Sequence, residues 1–228
     1  MLILLAEDEP AIREGLAVLL GGEGYEVMAA ADGEEALRLY AARRPDLLLL
    51  DVMMPGLSGY EVCERVRAED PLTPIVFLTA KDGTDDELCG LGKGADDYIS
   101  KTAPIRVKLA RIAAALRRSR ASETEGEGTR DFGLGSWRVD GANCRMVGAH
   151  GEVVALTVRE VELLRCFAQH EGELFSRDFL LTRFWGGDNC NEGSLTVALH
   201  RLREKLGADG ALLRTLSGRG YYYQRVLS

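Results

Sequence analysis

Leu2-Ile3-Leu4-Leu5-Ala6 runs directly into Glu7-Asp8-Glu9-Pro10. Five consecutive apolar residues leave no polar face, as in a strand covered on both sides within a parallel sheet. Pro10 suits the first turn of a helix, and Ile12, Leu16, Leu19 and Leu20 follow at helical spacing. The unit recurs along the chain. Residues 25–30, 47–50, 75–78 and 98–100 read as further strands. Helical stretches lie near 34–42, 59–68 and 84–92, the last weakened by Gly90 and Gly92. Ile105, Leu109, Ile112, Ala113 and Leu116 mark a closing helix. Five strands alternating with helices predict an α/β fold, a doubly wound five-stranded parallel sheet.

Residues 119–131 read SRASETEGEGTRD, polar and without apolar periodicity. This predicts a linker between domains at 1–118 and 132–228. Beyond it the pattern changes to α+β. Short strands are expected at 137–140, 144–147 and 153–156. Thr157-Val158-Arg159-Glu160 has the spacing of a capping box, and Leu163, Leu164 and Phe167 continue that helix. Ser176 can cap a second helix ending near Trp185. Leu195, Ala198, Leu199, Leu202 and Leu206 place an apolar stripe on a third. Residues 212–216 and 221–226 flank Ser217-Gly218-Arg219-Gly220 as a hairpin. Three helices and a terminal hairpin predict a winged helix-turn-helix.

The chain has 228 residues and a net charge of -8, with 46% hydrophobic residues, which excludes a mainly disordered chain. The charge is uneven. Residues 1–120 carry a net of -6, whereas 183–228 carry +3, so the acidity does not exclude nucleic-acid binding. No apolar run approaches the roughly 18 residues of a membrane span, and no membrane partner is expected. Cys63, Cys89, Cys144, Cys166 and Cys190 are scattered without metal spacing. They read as reduced thiols, and the chain as cytoplasmic.

Ligands of an open parallel sheet bind beyond the carboxyl ends of its strands. There the sequence places Glu7-Asp8, Asp51, Thr79 and Lys101. Clustered carboxylates raise one another's pKa, and Mg²⁺, which takes hard oxygen ligands, relieves that cost. An Asp can accept a phosphoryl group covalently, and a Lys ammonium suits a phosphate oxygen. Singly, each residue has an ordinary alternative: Asp8 or Glu9 as a helix cap, Asp51 before Pro55-Gly56 as a turn residue, Thr79 as a strand-end hydroxyl, Lys101 as a surface cation. The ordered set across five strands is what points to phosphoryl chemistry.

With these pieces assembled, residues 1–119 resemble a response-regulator receiver domain of flavodoxin-like fold. The matching segments are Glu7-Asp8, Asp51-Val52-Met53-Met54-Pro55-Gly56, Thr79-Ala80, Gly94-Ala95-Asp96-Asp97-Tyr98 and Lys101. Residues 132–228 resemble the winged-helix output domain of the OmpR/PhoB family through Leu156-Thr157, Glu160, Ser176-Arg177, Trp185-Gly186, Arg201-Leu202-Arg203, Arg214-Thr215 and Gly220-Tyr221. The resemblance implies a two-component response regulator, not an enzyme. A sensor histidine kinase would phosphorylate Asp51. Glu7, Asp8, Asp51 and the Met53 carbonyl would hold Mg²⁺, and Lys101 would bind the phosphate. Thr79 and Tyr98 would form a switch pair, the ring turning inward. Promoter DNA would be the target, with RNA polymerase a further partner. An aspartate-nucleophile phosphohydrolase is the enzymatic alternative, but Met53 stands where such enzymes carry a second Asp. A regulator that works without phosphorylation is the other.

On the third helix of the C-terminal half, Thr196, His200 and Arg203 lie opposite the apolar stripe, with Arg201 further round. A helix with that basic face can enter a major groove. Arg177, Trp185, Ser194, Thr215 and Arg219 complete the expected DNA surface, although Trp185 reads equally well as core. A homodimer on phosphorylation is expected through the last receiver helices, with Asp97–Arg111 pairing across a two-fold axis and Leu88, Leu91 and Ile112 in apolar contact. Two departures from the family stand out. Lys101-Thr102-Ala103 replaces Lys-Pro and its cis bond. Lys93, Glu87, Val107 and Arg118 break the usual set of dimer charges.

Overall fold

A computed structural model describes residues 1–80, 94–124, 131–185 and 192–225. The chain divides into two compact units, Met1–Ser119 and Arg120–Ser228.

In the first unit the apolar runs are strands β1 (Leu2–Ala6), β2 (Glu26–Ala30), β3 (Leu47–Asp51), β4 (Ile75–Thr79) and β5 (Asp97–Ser100). All pair in parallel, in the order β2-β1-β3-β4-β5. Helices α1 (Pro10–Gly22), α2 (Gly33–Arg43), α3 (Gly59–Glu69) and α4 (Ile105–Thr124) connect or follow them. Side chains alternate across a strand. Ile3, Leu5, Leu47 and Leu49 pack with Leu16 and Leu20 of α1 and Ile112 and Leu116 of α4. Leu4, Leu48 and Leu50 face the other way and are as fully buried, which is why β1 and β3 carry no polar alternation. Pro10 opens α1, the Asp32 side chain caps α2, and Ser58 and Glu61 close a capping box on α3. The expected helical stretch at 84–92 lies outside the described residues.

The second unit begins with an antiparallel sheet of β6 (Phe132–Leu134), β7 (Trp137–Asp140), β8 (Arg145–Val147) and β9 (Val153–Ala155). Helices α5 (Val158–Gln169), α6 (Arg177–Trp185) and α7 (Glu192–Leu206) follow. A 3-10 turn (Gly207–Leu212) leads to the hairpin β10 (Leu213–Leu216) and β11 (Gly220–Tyr223). The capping box at Thr157 and Glu160 is formed in full. One core of Leu163, Leu164, Phe167, Phe184, Trp185, Leu195, Leu199 and Leu202 holds the three helices together. Two features were not expected. Strand β6 precedes the predicted sheet, and α4 continues to Thr124, through the first part of the expected linker.

Candidate functional site

The carboxyl ends of β1, β3 and β5 converge. Glu7 follows β1 and is wholly buried, and Asp51 ends β3 at 2% exposure. Lys101 follows β5, and its Nζ lies 2.8 Å from both Glu7 Oε1 and Asp51 Oδ2. Carboxylate oxygens of Glu7, Asp8 and Asp51 lie within 4.8 Å of one another, with Asp8 exposed. Burial pushes the carboxyls of Glu7 and Asp51 upward, against the pull of Lys101. Burial also disfavours the Lys101 ammonium, but the hydrogen bonds and charges of Asp51 and Glu7 outweigh it, so its pKa rises. Glu7 Oε2 is buried without a hydrogen-bond partner among the described residues. A hard cation fits this acid set and that orphaned oxygen.

Local sequence fixes the loops around the pocket. The Met53 amide donates to Asp51 Oδ1 at 3.2 Å. A Cβ at Gly59 would collide with the Asp51 main-chain carbonyl, so the first residue of α3 must be glycine for the loop 51–59 to close. Arg13, which sequence analysis did not single out, donates to the main-chain oxygens of Glu7 at 2.7 Å and Asp8 at 3.0 Å and holds the acidic turn. Its position one turn into α1 is the only sequence signal for it. Thr79 ends β4 at 6% exposure. Tyr98 is 3% exposed, its ring 5.1 Å from that of Phe77. The ring is buried against Phe77. No peptide bond among the described residues is cis, so Lys101–Thr102 is trans.

Three residues of the expected dimer set are described, and all lie in the receiver. Arg111 Nη1 lies 3.0 Å from Asp97 Oδ1 within the same chain and also donates to Tyr98 O at 3.0 Å. Asp97 is wholly buried and Ile112 is 1% exposed. All three are buried within the single chain. Leu88 and Leu91 lie outside the described residues.

In the second unit, Thr196 and His200 are exposed on α7 and Arg203 half-exposed, as the stripe predicted. Arg203 braces the hairpin through Leu213 O at 2.9 Å and Thr215 Oγ1 at 2.7 Å. Arg177 reaches Thr196 Oγ1 at 3.1 Å and Tyr221 Oη at 2.8 Å. Thr215 and Arg219 are exposed on the hairpin, as is Arg214, which sequence analysis did not assign. Three residues do not belong to this surface. Trp185 is 1% exposed beneath the Arg159 guanidinium, and Ser194 is also 1% exposed. Arg201 turns inward, its Nη2 3.1 Å from Glu160 Oε1. Burial opposes the Glu160 charge, but Arg201 and Lys205 hold its carboxyl below the ordinary range.

Comparison with known proteins agrees with both halves. Residues 3–113 match the response regulator receiver domain, and 151–223 match the C-terminal domain of transcriptional regulatory proteins. Transcriptional regulatory protein AfsQ1 of Streptomyces coelicolor is 41% identical over 223 residues, covering 96% of each chain. The chain is an OmpR/PhoB-type response regulator. A solved mutant of RitR superposes on this response regulator with a TM-score of 0.76 at 26% identity, covering 99% of each chain. DrrB of Thermotoga maritima, described as an OmpR/PhoB homolog, gives 0.50 at 26% identity over 98% of this chain and 99% of its own. The family regulates transcription, and the phosphohydrolase alternative falls away with that membership. No helix among the described residues is long and apolar enough to cross a membrane.

Proposed function

We propose that Asp51 accepts a phosphoryl group from a sensor histidine kinase and that this charge controls binding of the winged-helix unit to promoter DNA. The observation that carries the reading is Lys101 Nζ, 2.8 Å from both Glu7 and Asp51 at the mouth of a parallel sheet. Asp51 Oδ2 attacks phosphorus, an oxygen–phosphorus bond forms, and the nitrogen–phosphorus bond to the kinase histidine breaks. The histidine nitrogen keeps that electron pair. Glu7, Asp8, Asp51 and the Met53 carbonyl would hold Mg²⁺, which neutralises charge on phosphoryl oxygens. Lys101 then exchanges a carboxylate partner for a phosphoryl oxygen, and the Thr79 hydroxyl supplies a further bond. Phosphorylation adds about -1.5 to -2 charges and three acceptor oxygens, enough to bias a two-state loop.

The exposed face of α7, with Thr196, His200 and Arg203, enters the major groove, while Arg177, Arg214, Thr215 and Arg219 meet backbone phosphates. A homodimer formed on phosphorylation, contact with RNA polymerase and a cytoplasmic location belong to the same reading. Fluorescence anisotropy on duplexes selected from a random pool tests it. Acetyl phosphate and Mg²⁺ should raise the affinity of the natural chain and leave Asp51→Asn unchanged. Equal affinity with and without the phosphodonor in the natural chain contradicts the proposal.

A further inference from the structure

A second lysine stands behind the first. Helix α4 opens at Ile105, and one turn later Lys108 sends its ammonium back to donate to the Lys101 main-chain carbonyl at 2.5 Å. The side chain is half-buried. The loop between them is tight: Ala103 N–H donates to Ser100 O at 3.0 Å, and the hydroxyls of Ser100 and Thr102 lie 2.8 Å apart. Lys101 N–H donates to Thr79 O at 2.7 Å. Both main-chain polar groups of Lys101 are therefore held, the N–H by β4 and the carbonyl by Lys108, while its side chain spans Glu7 and Asp51.

The charge of Lys108 is also felt in the pocket. Burial lowers its proton affinity, the Glu7 carboxylate raises it and the Lys101 ammonium lowers it. A half-buried cation is screened less by salt than a surface one. An ammonium on a carbonyl is a charge-assisted hydrogen bond, stronger than its neutral counterpart.

We propose that Lys108 is a positioning residue of the phosphoryl site, fixing Lys101 through its carbonyl and adding a second positive charge that favours an anion on Asp51 and disfavours a cation beside it. The proposal rests on Asp51 as phosphoacceptor. Its two consequences have opposite signs. Removing the ammonium weakens a bound phosphoryl analogue and strengthens Mg²⁺ binding. A purely structural loosening of the pocket weakens both.

The full chain serves for the test, as the natural sequence, Lys108→Met and Lys108→Arg. Met keeps an unbranched apolar stem, and Arg keeps the charge and a donor. Labelling of the natural chain and of Asp51→Asn by acetyl phosphate first decides the underlying reading without involving Lys108. Isothermal titration then measures Mg²⁺ alone, and beryllofluoride at saturating Mg²⁺. Lys108→Met should bind beryllofluoride about tenfold more weakly, the loss of one charge-assisted hydrogen bond. It should bind Mg²⁺ about threefold more tightly, the relief of one nearby repulsion. Lys108→Arg should stay within about twofold of the natural chain on both. Lys108→Gln repeats the measurement if Lys108→Met melts early. Weakening of both ligands, no change in either, or an Arg variant as impaired as Met overturns the proposal.

Discussion

Replacing Arg201 by Met should destabilise the winged-helix unit rather than strip a contact from DNA. Arg201 Nη2 lies 3.1 Å from Glu160 Oε1, and the two side chains are 9% and 3% exposed. The other carboxylate oxygen takes the Thr157 amide at 2.7 Å and Lys205 Nζ at 2.6 Å. Removing one partner of a buried pair costs about 3–5 kcal/mol. Lys205 still neutralises Glu160, so the lower figure applies, about 3 kcal/mol. At about 4 °C per kcal/mol for a unit of this size, the thermal transition of the second unit should fall by about 12 °C. Calorimetry of the full chain reads this directly, with the receiver transition as internal reference. Glu160→Gln combined with Arg201→Met should recover part of the loss, because no buried charge is then stranded. A transition shifted by less than about 2 °C, together with a DNA salt slope flattened by about one, would return Arg201 to the phosphate-contacting surface.

Other outcomes follow from the same geometry. Arg111→Met should destabilise the receiver by about 3 kcal/mol, read by urea titration of the full chain, because it strands the wholly buried Asp97; a loss confined to self-association contradicts the intrachain pair. Gly59→Ala forces the Asp51 carbonyl to move, so acetyl phosphate labelling should drop at least about tenfold, as misplacement by about 1 Å at a reacting centre does; unchanged labelling refutes the tight loop. The pH response of the two units differs in sign. Glu160 titrates lower in the folded state, so its contribution is present above the ordinary value of 4.5 and is lost as pH falls through the folded value. Glu7 and Asp51 titrate higher in the folded state, so the receiver loses stability as pH rises from their ordinary values through the raised ones. Separate urea midpoints for the two units between pH 3 and 7, with Mg²⁺ absent, check both directions.

The receiver was legible because burial on both faces leaves its mark on composition. Runs such as Leu47-Leu48-Leu49-Leu50 cannot be amphipathic strands, and each ended where a polar pocket residue stands. The capping box at Thr157 was legible because its two hydrogen bonds demand a fixed spacing. Strand β6 was not, since Phe132-Gly133-Leu134 follows directly on the polar run 119–131 and has a glycine at its centre, a residue depleted in strands. Nor was the extension of α4 to Thr124, because a helix once nucleated propagates at little cost through residues with no apolar stripe. Arg201 borders the apolar stripe of α7, where a cation can point outward or inward. Its inward turn depends on Glu160, 41 residues earlier, a pairing that exists only in three dimensions. Asp97 and Arg111 carry the same ambiguity, since a charge pair across a dimer and one within a chain have identical sequence signatures.

The most direct measurement is mass spectrometry of the intact chain after incubation with acetyl phosphate and Mg²⁺, followed by peptide mapping with borohydride trapping of the acyl phosphate. One phosphate should be added to the natural chain, the reduced residue should be Asp51, and Asp51→Asn should remain unmodified. Equal labelling of Asp51→Asn, or a trapped residue elsewhere than at the pocket of Glu7, Asp8 and Lys101, would contradict the assignment of this site.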